Sequence, residues 1–100
     1  PILITTQNII DWSKPHSSLN GGRHTILETK HLRISIVGGS KGLYGDFVNN
    51  FEVAIMNKET GSFMTKFFLP ESNDDVVGYV PGDELETMLN EIVGKNFQVI

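Results

Sequence analysis

Residues 37–56, VGGSKGLYGDFVNNFEVAIM, hold four glycines in their first ten positions, directly after a strand-like run. The residues after the glycines decide the fold. A phosphate-binding loop needs its last glycine to open a helix, whose first N–H groups point at the anion. The nucleotide-binding patterns also require a Lys-Ser/Thr pair after the glycines, or a strand, turn and helix in that order. Here Lys41 stands between glycines with Gly42 directly after it, and DFVNNFEVAIM alternates with period two. Such alternation marks a half-buried strand. The glycines therefore read as a connection between two antiparallel strands, with Gly42 or Gly45 holding a backbone angle that disfavours a side chain.

Period two extends outward on both sides. Upstream, HTILE and HLRISIV read as two strands joined around Thr29 and Lys30, with Leu32, Ile34 and Ile36 on one face and Arg33 and Ser35 on the other. Downstream, Phe51, Val53 and Ile55 share one face, and KETG turns the chain with Gly61 in the left-handed position. FMTKFFL is the expected return strand. Its Phe63, Phe67 and Phe68 fall on both faces, which predicts burial on both sides. After the acidic loop PESNDD, DVVGYV is a further strand candidate.

The two ends read differently. PILITTQNIIDW predicts a short strand at Ile2–Thr5, then one or two helical turns capped by Thr5 or Thr6, with Ile9, Ile10 and Trp12 on the apolar side. SKPHSSLNGG, almost without apolar residues, reads as a loop. Near Pro81 a helix begins. Asp83 and Glu86 have the spacing of a capping box, and Leu85, Met88, Leu89, Ile92 and Val93 form one apolar stripe. Gly94 and Lys95 suit its C-terminal end, and FQVI closes the chain as a short strand. These readings combine into one α+β domain over residues 1–100. It has a mostly antiparallel sheet of about five or six strands packed by one C-terminal amphipathic helix, with a short N-terminal helix. One helix covers only part of such a sheet, so homo-oligomerisation is an expectation.

Composition narrows the function. The 100 residues include no cysteine, which excludes disulfides, thiolate metal sites and thiol nucleophiles and makes a reducing cytoplasm the expected compartment. No apolar run is long enough to span a bilayer, and no basic-then-apolar leader is visible, so no membrane partner is expected. The net charge of −4 disfavours direct binding to nucleic acid. That charge is also segregated. Residues 1–66 hold five acidic and seven Lys/Arg side chains, residues 67–100 seven acidic ones and Lys95.

The motifs that carry chemistry elsewhere are weak here. His16, His24 and His31 are eight and seven residues apart, which matches neither a helical nor a strand ligand pair. ESNDD lacks the alternating spacing of a calcium loop. No nucleophile-elbow pattern is present. Neither a metal nor a cofactor is expected. The opening PILIT resembles the start of the tautomerase superfamily, where an N-terminal proline on the first strand serves as general base through its secondary amine. The resemblance spans five residues and implies that role for Pro1 alone; where the family continues into a long amphipathic helix, this chain has SKPHSSLNGG.

The expected function is therefore that of a small acidic, non-enzymatic binding or regulatory protein, of a type that suits a microbial or phage accessory role. Its acidic C-terminal third, with Asp74, Asp75, Glu84 and Glu91, would contact a basic surface on a protein partner. Leu43 and Tyr44, at the tip of the glycine-rich loop, are a second candidate contact. The alternative is an anion or small-molecule binder, or a small enzyme, using the Gly38–Gly45 loop as a nest of N–H groups or Pro1 as base.

Overall fold

The strong alternation between residues 23 and 57 builds the centre of the molecule, seen here in a computed structural model that describes residues 3–92 and 98–100. Pro1, Ile2, Val93, Gly94, Lys95 and Phe97, which figure in the expectations from sequence, lie outside the described residues. In chain order the elements are α1 (Thr6–Asp11), β1 (Lys14–Pro15), β2 (Arg23–Glu28), β3 (Leu32–Gly38), β4 (Asn50–Asn57), α2 (Thr65–Phe68), β5 (Val76–Pro81), α3 (Gly82–Ile92) and β6 (Gln98–Val99). The strands form one antiparallel six-stranded sheet in the order β1-β2-β3-β4-β5, with β6 also on β2. The fold is α+β.

Register explains which residues become core. Leu27 pairs with Ile34 and Ile34 with Ile55, while Thr25 pairs with Ile36 and Ile36 with Val53. Side chains in directly paired positions share a face, so these rows form one apolar surface, and all of them are buried. Helices α1 and α3 cover that surface with Ile9, Leu85, Met88 and Leu89, each of them buried. The opposite face is less covered, and Ile26, Val37, Ala54 and Met56 are half-buried there.

Polar contacts fix the helical layer. Thr5 caps α1 in a reciprocal box with Asn8. The buried Thr25 hydroxyl donates to the Ile9 carbonyl at 2.6 Å, tying α1 to β2. Asn90 of α3 accepts the Ile4 N–H at 2.8 Å and donates to the Ile4 carbonyl at 2.9 Å. Residues 3–5 are therefore not a strand. The Ile4 backbone pairs with a side-chain amide of α3, and the Thr5 backbone with Asn8 and Ile9 of α1, instead of with the sheet.

Three further expectations are corrected. Helix α3 starts at Gly82, one residue before Asp83, so the capping box does not form. Asp83 accepts the Glu84 N–H at 2.9 Å, and Glu86 takes the Thr6 hydroxyl at 2.5 Å across the two helices. Lys14–Pro15 interrupts the anticipated loop with a short pairing onto β2. FMTKFFL is not a return strand: Phe63 makes one bridge to Met56, and a single helical turn comes after it. The cause is Thr65. Its side chain accepts the Ile55 N–H at 2.9 Å and so replaces the backbone carbonyl of a continuing strand. Leu69 turns into the core, while Phe67 is 75% exposed rather than buried.

Leu89, fully buried under the sheet, tests this packing. Leu89→Ala should lower the unfolding free energy by about 2–5 kcal/mol through lost apolar transfer and the cavity left behind. Urea denaturation monitored at Trp12 should show that loss; a change below about 1 kcal/mol would contradict a well-packed site.

Candidate binding cleft along strand β5

The sequence VVGYV carries a glycine inside a strand pattern, a position that signals a bulge or a close approach of backbone. Both occur. Val53 pairs with Val77 and Phe51 with Val80, so Gly78 and Tyr79 together oppose Glu52. This bulge places Tyr79 at φ 55°. A bulky side chain in the left-handed region costs on the order of 1–3 kcal/mol and persists only where neighbours impose it. The Tyr79 N–H donates to the Tyr44 carbonyl at 2.8 Å, which holds the conformation. Gly78 is needed for the same contact, because a Cβ there would lie 2.5 Å from the Tyr44 Cβ.

The result is an exposed aromatic pair. The Tyr44 and Tyr79 rings lie 6.0 Å apart with an interplanar angle of 59°, and their exposures of 59% and 63% leave most of both residues in contact with water. Next to Tyr79, between β5 and residues 68–72, runs a cleft of about 330 Å³. Leu69, Pro70, Tyr79 and Pro81 supply apolar lining, and Glu71 and Glu84 contribute carboxylates. No lysine or arginine lines it.

Of the residues singled out from sequence, Tyr44 and Glu84 come to this region. Glu91 lies seven residues beyond Glu84 on the same helix, two turns away and exposed. Asp74 and Asp75 are exposed just before β5, at the end of the strand opposite to Glu84, and Asp75 lies 3.9 Å from Lys66. Leu43 is half-buried and takes part in a separate depression with His16, Val37 and Ala54. The structure thus divides Leu43 from Tyr44. Sequence reasoning passed over Tyr79, Glu71 and Pro81; the glycine in VVGYV was the available signal for the first.

The glycine-rich loop directs its donors inward. Gly39 N–H donates to the Gly45 carbonyl at 2.9 Å, Leu43 N–H to Ser40, and Tyr44 N–H to the Glu52 carboxylate at 3.0 Å. Asp46 closes the loop by accepting from the Val48, Asn49 and Asn50 N–H groups at 2.8, 2.8 and 3.1 Å. Gly42, at φ 96°, has open space around it. Gly45 is packed instead, since a Cβ would meet the Phe51 Cα and the Asn50 carbonyl oxygen at 2.9 Å.

The histidines do not assemble a metal site. His16 and His24 meet edge to face with ring centroids 6.0 Å apart, and no cluster of three ligating side chains occurs among the described residues. His24 titrates below its ordinary 6.5 because burial, then the charges of His16, Lys14 and Arg23, disfavour the imidazolium. Among the described residues, no helix is long and apolar enough to cross a membrane. Comparison with known protein families, with characterised proteins and with solved structures finds no match to this chain.

The loop and the histidine pair each generate a measurable outcome. Gly42→Ala should cost about 1–2 kcal/mol for its left-handed backbone, and Gly45→Ala should cost more because its methyl group meets backbone; equal losses in denaturant unfolding would contradict this packing. Acidification should destabilise the fold in two windows. As pH falls through 6.5, the unfolded state takes a proton at His24 before the folded state does. Asp46, whose carboxyl is held below 3.8 by its backbone donors, keeps its contribution above that value and loses it as pH falls further. In stability-against-pH curves, His24→Gln should flatten the first window and Asp46→Asn the second.

Proposed function

We propose that this protein is a non-enzymatic binding module that presents its acidic C-terminal third to a basic surface of a protein partner. The observation that carries the reading is the β5 cleft, where Glu71 and Glu84 stand beside an exposed aromatic pair and no cation lines the walls. Asp74, Asp83 and Glu91 add exposed negative charge, and Lys66–Asp75 is the one ion pair that reaches this part of the chain among the described residues. Like charges that are not neutralised internally produce a field that steers a positive partner and repels an anionic one.

The alternative, an anion site in the Gly38–Gly45 loop, draws less support. The N–H groups of Gly39, Leu43, Tyr44 and Gly45 are occupied within the protein, and a carboxylate already sits on one of them. A cysteine-free sequence agrees with a reducing cytoplasm, where an accessory protein of a microbe or phage would act.

Octalysine serves as a basic probe. Association measured by stopped-flow fluorescence should slow as salt rises, because the Debye length shortens to about 8 Å at physiological ionic strength. Replacing Asp75, Glu84 and Glu91 by Asn, Gln and Gln should slow association more than it speeds dissociation. A folded triple variant with unchanged rate and unchanged salt dependence would refute the acidic-surface reading.

A further inference from the structure

We infer that the basic partner is held as an extended segment added alongside β5, with Lys or Arg side chains at alternate positions. This deepens the acidic-surface reading and rests on it. β5 ends the strand order of the sheet, and no strand pairs with its outer side among the described residues. At the other end of the sheet, the free side of β2 is taken by β1 near Arg23 and by β6 near Glu28. Among the described residues, no backbone hydrogen bond joins β5 to residues 68–72, although the cleft brings the two stretches side by side. An unpaired edge is a template for another chain, and proteins usually guard it with lysine, proline or a bulge. β5 has its proline at the last position and no lysine. Its bulge turns Tyr79 outward and holds the Tyr79 N–H on the Tyr44 carbonyl, so a partner would pair with the other outward backbone groups of the strand.

Charge complementarity selects the occupant. Side chains two apart on an extended peptide point to the same side. Lysine or arginine at alternate positions would therefore face the acidic wall formed by Glu71 and Glu84, while their alkyl stems and cationic heads meet the Tyr79 and Tyr44 rings. The intervening side chains would fall toward Leu69 and Pro70. At about 3.3 Å per residue, the six residues of β5 match a partner segment of similar length. Backbone pairing supplies affinity in this mode, and the alternating side chains supply selectivity.

The test uses the hexapeptide acetyl-Lys-Val-Lys-Val-Lys-Val-amide, two versions of it N-methylated on alternate residues so that opposite backbone edges are blocked, and octalysine. Binding is read by titration and by amide hydrogen exchange at Val76–Val80. The unmodified peptide should bind and slow exchange on β5, and only one of the two methylated versions should lose at least tenfold in affinity. Glu84→Gln should weaken the unmodified peptide severalfold. If both methylated versions bind as well as the parent, or both lose equally, or protection appears away from β5, strand addition is overturned while the acidic surface stands. Binding of octalysine without binding of the hexapeptide has the same meaning. Failure of both probes overturns the two proposals together.

Discussion

The buried Thr65 hydroxyl joins three stretches of chain on which the cleft depends. It accepts the Ile55 N–H of β4 at 2.9 Å and donates to the Asp75 carbonyl at 2.6 Å, just before β5. The buried Ile55 N–H would cost about 1–3 kcal/mol if left without a partner. The side chain therefore ends one pairing and positions the next. The chain leaves β4 at Asn57, touches it again at Phe63 and Met64, passes through α2, turns at Pro70 and returns as β5 on the same edge of β4. The space between that turn and the returning strand is the cleft.

The helical layer makes the remaining geometry rigid. Apolar burial supplies the driving force, but it is not directional. Direction comes from Thr25 to Ile9, from Asn90 to both backbone groups of Ile4, and from Thr6 to Glu86. The last contact also explains why Glu86 is unlike its acidic neighbours. It is half-buried and bound between α1 and α3, whereas Glu84 and Glu91 extend into solvent. Acidic residues of one short helix thus stand in separate surroundings, Glu86 tied between two helices and Asp83, Glu84 and Glu91 exposed.

Backbone strain marks the same region. Tyr79 is a large residue at positive φ within a strand, held by the Tyr44 carbonyl and by the absence of a side chain at Gly78. A core of this size can sustain a local cost of that order, and here it places an aromatic ring in water beside two carboxylates. The glycine-rich loop contributes indirectly. Its inward hydrogen bonds and the tight seat of Gly45 against Phe51 carry Tyr44 to Tyr79, so the loop's part in the candidate site is to position a side chain.

The sequence by itself determined the sheet and its inner face. Strict alternation at Leu32–Val37 and Phe51–Ile55 allows only one set of side chains to be buried, and the stripe Leu85–Met88–Leu89 has only that surface to cover. The left-handed Gly61 and the Thr5 cap were legible for the same reason, because each depends on local chemistry. Only the tertiary structure decided the fate of FMTKFFL, whose three phenylalanines favour a strand until Thr65 meets Ile55. It also decided that Asp74 and Asp75 stand at the far end of β5 from Glu84, that Leu43 parts from Tyr44, and that Tyr79 joins the site. These outcomes depend on contacts between residues ten to thirty-five positions apart, and period, propensity and spacing carry no information about which distant groups will meet.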